Sequence, residues 1–252
     1  MTMISHQETV SAFKQVLEQG DDIFVHASLG RIGHFEAGPD GVIEALCTAV
    51  GPSGTVIMMT DTRSFAKTGR FSMDQPSETG LLTERFRLTP GVKRSCVPMV
   101  SYCAKGPKAE YYTALYNSHL DDTATLTRLL ADNGKIMLLG IGYGKCTLYH
   151  MSEERHQAPT NFYKEFKGVL TEAGKPDRPI SQRYFVRKDL STRKDPSVAG
   201  EMLEVRGLAT VLPLGNDAVR VFRARDFDAC CTEALVKDPN AFLVSPTANK
   251  LI

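Results

Sequence analysis

The chain has 252 residues, of which 42% are hydrophobic, 23% charged and 8% aromatic, with no Trp. A chain of this length buries roughly 70–75% of its unfolded surface, so it forms a core without disulfide or metal, and its composition excludes a disordered, collagen-like or coiled-coil protein. Thirty basic against 29 acidic residues give a formal net charge of +1; that leaves no electrostatic footprint for nucleic acid, and no apolar run approaches the ~20 residues of a membrane helix.

Residues 7–19 place Val10, Phe13, Val16 and Leu17 on one helical face, with Gly20 as the stop. DIFVHA (22–27) reads as a buried strand. A loop with Gly30, Gly33 and Gly38 follows, and Pro39 opens a helix over 40–50. The turn Gly51-Pro52-Ser53-Gly54 returns the chain to a strand over 55–60. This β-loop-α-turn-β unit points to a layered α/β sheet. Residues 61–77 are polar and irregular, as a mobile active-site loop would be. Then come a helix over 79–87, a strand near 99–104, helices over 107–116 and 123–132, and the most apolar strand, 135–141. A helix begins near Thr147. Residues 162–171 and 179–187 form a hairpin around Gly174-Lys175-Pro176-Asp177, and a helix follows near 196–205. A second hairpin (209–214, 218–224) and a closing helix from Asp226 to about Val236 complete the chain. The expected fold is a single α/β/α domain over 1–252 in three layers, its mixed sheet extended by antiparallel C-terminal hairpins.

The six cysteines, Cys47, Cys96, Cys103, Cys146, Cys230 and Cys231, form no C-x-x-C and read as reduced, buried thiols. Met1 to Gln19 lacks the apolar centre of a secretory signal. The expected location is the cytoplasm.

Four places could carry chemistry. Gly140-Ile141-Gly142-Tyr143-Gly144 follows a strand, and such glycines allow close backbone approach to a ligand. A methyltransferase would place this loop early, with an acidic residue ~20 positions later; neither holds here. His150 and Glu153 are three apart on a helix, so they share a face, and a carboxylate beside an imidazole makes a general base. Cys146, four residues before His150, is an alternative nucleophile. The loop His26-Ala27-Ser28-Leu29-Gly30-Arg31-Ile32-Gly33 offers backbone amides, and Arg94-Ser95 offers a guanidinium and a hydroxyl suited to phosphate.

Four blocks in this order resemble the aminoglycoside 3-N-acetyltransferase family: VHASLGRIGHFEAGPDGVIEALCTAVGPSGTVIM (25–58), ETGLLTERFRLTPGVKRSCVPMVSYCAKGPKAE (78–110), GKIMLLGIGYGKCTLYHMSEE (134–154) and LGNDAVRVFRARDFDACCTEALVKDPNAFL (214–243). The resemblance implies an acetyl-CoA-dependent N-acyltransferase with a small-molecule amine acceptor, no metal, and no nucleic-acid or membrane partner; a homodimer is compatible with it. It assigns Ser28, Leu29, Gly30, Ile32 and Gly33 to the pantetheine loop, Arg94, Ser95 and Thr147 to the cofactor, His150 and Glu153 to the base, and Glu84 to a substrate-side carboxylate. Glu78, Glu84, Asp121 and Asp122 are candidates for an acidic pocket that would hold a polycation. Two departures stand out. Val97 occupies the place of a family histidine, and the stretch from His119 to Gly134 is short, without the family's Ser-Pro pair. Val97 leaves room for a different, biosynthetic amine, or for a CoA-binding relative with reduced catalysis.

Overall fold

The computed structural model describes residues 2–172 and 174–244. Strand β1 (Met3–Ile4) leads into helix α1 (His6–Val16). That helix starts where Ser5 and Glu8 cap each other. Ser5 Oγ accepts from the Glu8 amide at 3.2 Å, and Glu8 Oε2 accepts from the Ser5 amide at 2.7 Å, so donors of the first turn are satisfied. The helix gives way at Leu17, which is already extended.

Strand β2 (Asp22–Ala27), the one-turn helix α2 (Leu29–Ile32), strand β3 (His34–Phe35), helix α3 (Gly38–Val50) and strand β4 (Thr55–Met59) follow. The stretch expected to be irregular holds a one-turn helix, α4 (Phe65–Thr68), and a short strand, β5 (Arg70–Ser72). Next come α5 (Leu81–Arg87), β6 (Lys93–Arg94), β7 (Tyr102–Lys105), α6 (Ala109–Tyr112), α7 (Thr125–Ala131), β8 (Lys135–Leu139) and α8 (Tyr149–Arg155). The chain then forms β9 (Asn161–Thr171), β10 (Arg178–Arg187), α9 (Ser197–Val205), β11 (Ala209–Leu214), β12 (Asp217–Arg223) and α10 (Ala224–Lys237).

Seven strands make the main sheet in the order β11-β12-β8-β2-β4-β7-β6. The central three, β8, β2 and β4, run parallel, and both edges are antiparallel. Side chains alternate across the pleat. Phe24, Ile57, Ala104, Ile136 and Leu138 face Leu126 and Leu129 of α7, Leu203 of α9, and Phe227 and Leu235 of α10. Ile23, Val25, Val56, Met58, Met137 and Leu139 face Phe13 of α1, Val42 and Leu46 of α3, and Phe86 of α5. The fold is therefore the expected three layers around a mixed sheet. Each buried Val, Leu, Ile, Phe or Met among them contributes roughly 1.5–3 kcal/mol of hydrophobic stabilisation. The parallel strands end at one edge, where Ala27 stands beside Leu139 and Val25 beside Met58.

The hairpins divide. β11 and β12 extend the main sheet through β12, as expected. The β9–β10 hairpin does not join it. β9 pairs in parallel with β5, and the three strands form a separate sheet over a small core of Phe65, Phe71 and Leu170. The other edge of the main sheet is supplied by β7 and β6 from the middle of the chain.

Candidate functional site

The site lies at the carboxyl ends of the parallel strands, where α/β folds bind ligands. Two loops meet there. The Ser28 amide donates to Leu139 O at 2.8 Å, and the Gly140 amide donates to Ala218 O at 3.0 Å. Gly140 has φ +67°, and a Cβ on it would lie 2.7 Å from Ile32 Cγ1 and 2.8 Å from Ser28 O. Only glycine lets the two loops close on each other here. Gly30 and Gly142 differ: a Cβ on either would meet nothing within 4 Å. Their bare backbone faces open space, a cradle suited to a slender chain. Ser28 and Leu29 are half-buried beside it, and Ile32 is buried beneath Gly140.

His26 is the penultimate residue of β2. Its Nε2 accepts from the Thr147 amide at 3.5 Å and lies 3.3 Å from Thr147 Oγ1. Burial pushes the imidazole down to about 4, so the ring is neutral and carries its hydrogen on Nδ1. This contact ties the β2 loop to the turn that leads into α8.

Helix α8 then brings His150 and Glu153 together. His150 Nδ1 lies 3.3 Å from Glu153 Oε2; the His150 side chain is 41% exposed and that of Glu153 is 2% exposed. Burial raises the Glu153 carboxyl, but hydrogen bonds and charge from His150 and Lys194 outweigh it and hold the carboxyl below the usual range. An ionised carboxylate can only accept, so Nδ1 carries a hydrogen, and in the neutral form of the ring Nε2 is then the nitrogen with the lone pair. Nε2 makes no protein hydrogen bond among the described residues. Lys194 also reaches the pair, from a polar run that carries no motif. Its Nζ donates to Glu153 Oε1 and, at 2.6 Å, to Asn161 Oδ1.

In sequence Asp61 is one polar residue in an irregular stretch. It lies two residues past the end of β4, at the ligand-binding edge of the sheet, which is the signal that marks it. It is 1% exposed, Oδ2 accepts from Arg63 Nε at 2.8 Å, and Oδ1 is buried without a partner among the described residues. Burial pushes its carboxyl up, and the charges of Arg63 and His150 oppose that shift. His119 stands nearby, its ring between Tyr116 and Tyr184, driven down to about 4 by burial and by the charge of His150.

Several expected residues are engaged elsewhere. Glu84 Oε1 and Oε2 take Arg87 Nη2 and Nε at 2.7 and 2.9 Å, and Oε2 also accepts the Ser77 amide at 2.7 Å. Its carboxyl, held below the usual range by Arg87, anchors the loop before α5 and is already neutralised. Arg94 is not open to a phosphate. Its guanidinium donates to the carbonyls of Thr60, Met73 and Gln75 and to Ser101 Oγ. Ser95 is buried and exchanges hydrogen bonds with the Tyr102 backbone at 2.8 and 2.9 Å. In the expected acidic pocket, Glu78 caps Ser64 and Asp121 caps Asn117 and Ser118, while Asp122 is exposed. Val97 is 0% exposed and packs in the core with Tyr102 and Tyr116. Cys146 is buried, and its thiol is pushed up to about 12 by that burial. A thiolate nucleophile is disfavoured there.

A model of the family described as aminoglycoside 3-N-acetyltransferase matches residues 24–235. The chain is 27% identical over 233 residues to aminoglycoside N(3)-acetyltransferase IV of a Salmonella species, covering 90% of this chain and 85% of that protein. It is 33% identical over 158 residues to an aminoglycoside N(3)-acetyltransferase III, also of a Salmonella species, covering 54% of this chain and 55% of the relative. Among solved structures it is similar to the apoenzyme of aminoglycoside acetyltransferase AAC(3)-IVa, with a TM-score of 0.80 at 25% identity over 98% of this chain and 94% of that one. It also shares its fold with AAC-IIIb, solved as a binary complex with CoASH, at a TM-score of 0.81 and 23% identity over 94% of this chain and 97% of that one. With its family model spanning most of the residues and its fold shared from end to end of the described chain, this protein belongs to the aminoglycoside 3-N-acetyltransferase family.

Proposed function

We propose that the chain is an N-acetyltransferase that moves the acetyl group of acetyl-CoA onto an amine of an aminoglycoside. The observation that carries this reading is His150: an imidazole with Nδ1 directed to a buried, ionised Glu153 and Nε2 left for a substrate. The family supplies the reaction class, and acetyl-CoA supplies the activated thioester.

His150 Nε2 takes a proton from the amine as its nitrogen bonds to the thioester carbonyl carbon. Glu153 stabilises the imidazolium that results. As the C–S bond breaks, that proton returns to the departing sulfur. Ser28, Leu29 and Gly30 frame the slot that the resemblance assigns to the pantetheine arm, with Ile32 packed beneath and Thr147 steadying the turn through His26; Gly33, also expected there, closes against the Thr2 carbonyl, which a Cβ would approach to 2.7 Å. The bare backbone at Gly30 and Gly142 fits a slender chain lying against it. Asp61 Oδ1 lacks a partner among the described residues, and an ammonium group of a polycationic acceptor is a fitting one. Arg94, Ser95 and Glu84 hold the surrounding loops.

Thiol release from acetyl-CoA tests the reading, measured with kanamycin-type and gentamicin-type aminoglycosides and with simple amines. We expect release with an aminoglycoside, and a loss of about 100-fold or more in His150→Ala with CoA binding retained. Release only with simple amines would move the acceptor to another class. Full activity in His150→Ala would remove His150 as the base.

A further inference from the structure

Lys194 belongs to no motif, yet its side chain is only 2% exposed. It lies between β10 and α9, and it divides the work of Glu153. Lys194 Nζ holds Oε1, while His150 Nδ1 faces Oε2. A buried ion pair gives no dependable stability over an apolar pair of similar size, so its presence beside the base calls for another explanation. The backbone around it is fastened. The Asp195 amide donates to Phe242 O at 2.8 Å, the Val244 amide donates to Arg193 O at 3.0 Å, and Lys194 bridges Leu243. Phe242 is buried, with its ring edge-on to Tyr149 at 5.6 Å, and the Tyr149 ring lies 4.0 Å from that of His150.

We propose that Lys194 is a positioning residue that fixes Glu153 and balances its charge, so that the Glu153–His150 pair does not hold an extra proton, and that residues 242–244 clamp Lys194 in place. The proposal rests on His150 being the base. A buried carboxylate alone raises the proton affinity of a neighbouring imidazole, and the two groups titrate as a pair. A cation bonded to the carboxylate lowers that affinity and keeps Nε2 unprotonated to lower pH.

Other charged or titratable groups surround the pair. Arg187 of β10 acts on Lys194, and Arg187 and Asp195 act on Tyr149. Asp61 after β4 and His119 before α7 lie within reach of His150. Apart from His150, Lys194 is the one side chain bonded to the Glu153 carboxylate among the described residues.

The test is an NMR titration of the His150 imidazole, assigned by its loss in His150→Ala, in wild type, Lys194→Met, Lys194→Gln and Lys194→Arg. The midpoint should rise by about one pH unit in both neutral variants and stay near wild type in Lys194→Arg. Lys194→Gln keeps donors for Glu153 and Asn161, so it tests charge apart from packing. Phe242→Ala, which loosens the clamp without touching Lys194, should shift the midpoint in the same direction by less. The acid limb of kcat/KM should move with it. An unchanged midpoint in the neutral variants, or a general loss of kcat with no pH shift, would overturn the proposal. The titration is read without acceptor, so it stands apart from acetyl transfer. Failure of wild type to release thiol with any amine would sink the functional reading and leave the Lys194 result intact.

Discussion

Replacing Glu153 with Gln keeps the volume and one acceptor oxygen but reverses the hydrogen-bond sense at His150. If the amide oxygen serves Lys194, as Oε1 does now, the NH2 group faces His150 Nδ1. An NH2 can only donate, so Nδ1 must accept and the imidazole hydrogen moves to Nε2. The nitrogen that should take the amine proton is then occupied. An equivalent carboxylate-to-amide change in a Ser-His-Asp triad lowers kcat by about 10⁴ through the wrong tautomer; general-base catalysis as a whole contributes about 10²–10⁴. We therefore expect kcat to fall by about 10²–10⁴, or about 3–5 kcal/mol in the barrier. Lys194 also loses its counterion. Breaking a buried pair costs about 3–5 kcal/mol when nothing replaces it. The amide oxygen still accepts here, so a loss of about 2 kcal/mol is expected, lowering Tm by about 4–8 °C. The assay is thiol release at saturating acetyl-CoA, with CoA affinity by calorimetry and Tm by scanning calorimetry. CoA affinity should hold. A variant that folds and keeps kcat within about threefold of wild type would show that Glu153 does not set the tautomer.

Asp61→Asn should weaken binding of a polycationic acceptor by about 10–100-fold, the worth of a charge-assisted hydrogen bond, while CoA affinity is unchanged; acceptor KM and CoA calorimetry separate the two. Acid should destabilise the fold through its depressed histidines. His26 and His119 are held near 4 against an ordinary 6.5, so between those values the unfolded chain binds more protons and stability falls as pH falls. Each histidine adds a slope of up to about 1.4 kcal/mol per pH unit in that window. The Glu153 carboxyl adds to it at lower pH, since a depressed acid stabilises above its unfolded pKa and loses that contribution as pH falls through its folded one. His119 Nδ1 is buried without a partner among the described residues. His119→Phe should therefore flatten the dependence of urea-unfolding free energy on pH between about 6.5 and 4 by one proton, and an unchanged slope would show that His119 is not neutral in the fold.

Much of the scaffold is legible in short stretches. The strands of the parallel core are apolar runs, the helices show their faces, and Ser5 with Glu8 marks the first helix. His150 and Glu153 are legible together because three residues on a helix set their separation through backbone geometry alone. Arg94 and Ser95 are conspicuous as a pair, but their task is not. Arg94 holds loop carbonyls only because residues 73 and 75 come to lie against it. Val97 is buried in the core, which no local pattern reveals.

The remaining parts of the site come from pairings across long stretches of chain. β9 joins β5 and not the main sheet, a choice set by which apolar faces find each other. Asp61 becomes a buried carboxylate near His150 only when β4 pairs with β2, which in turn pairs with β8. Lys194, within the polar run STRKDP, reads as a solvated cation; it is buried because β9 and residues 242–244 close around it. Periodicity and spacing act over a few residues of backbone, so the sequence alone shows the elements and the His–Glu pair. Burial, charge balance and hydrogen-bond partners depend on segments distant in the chain, and folding alone brings those together.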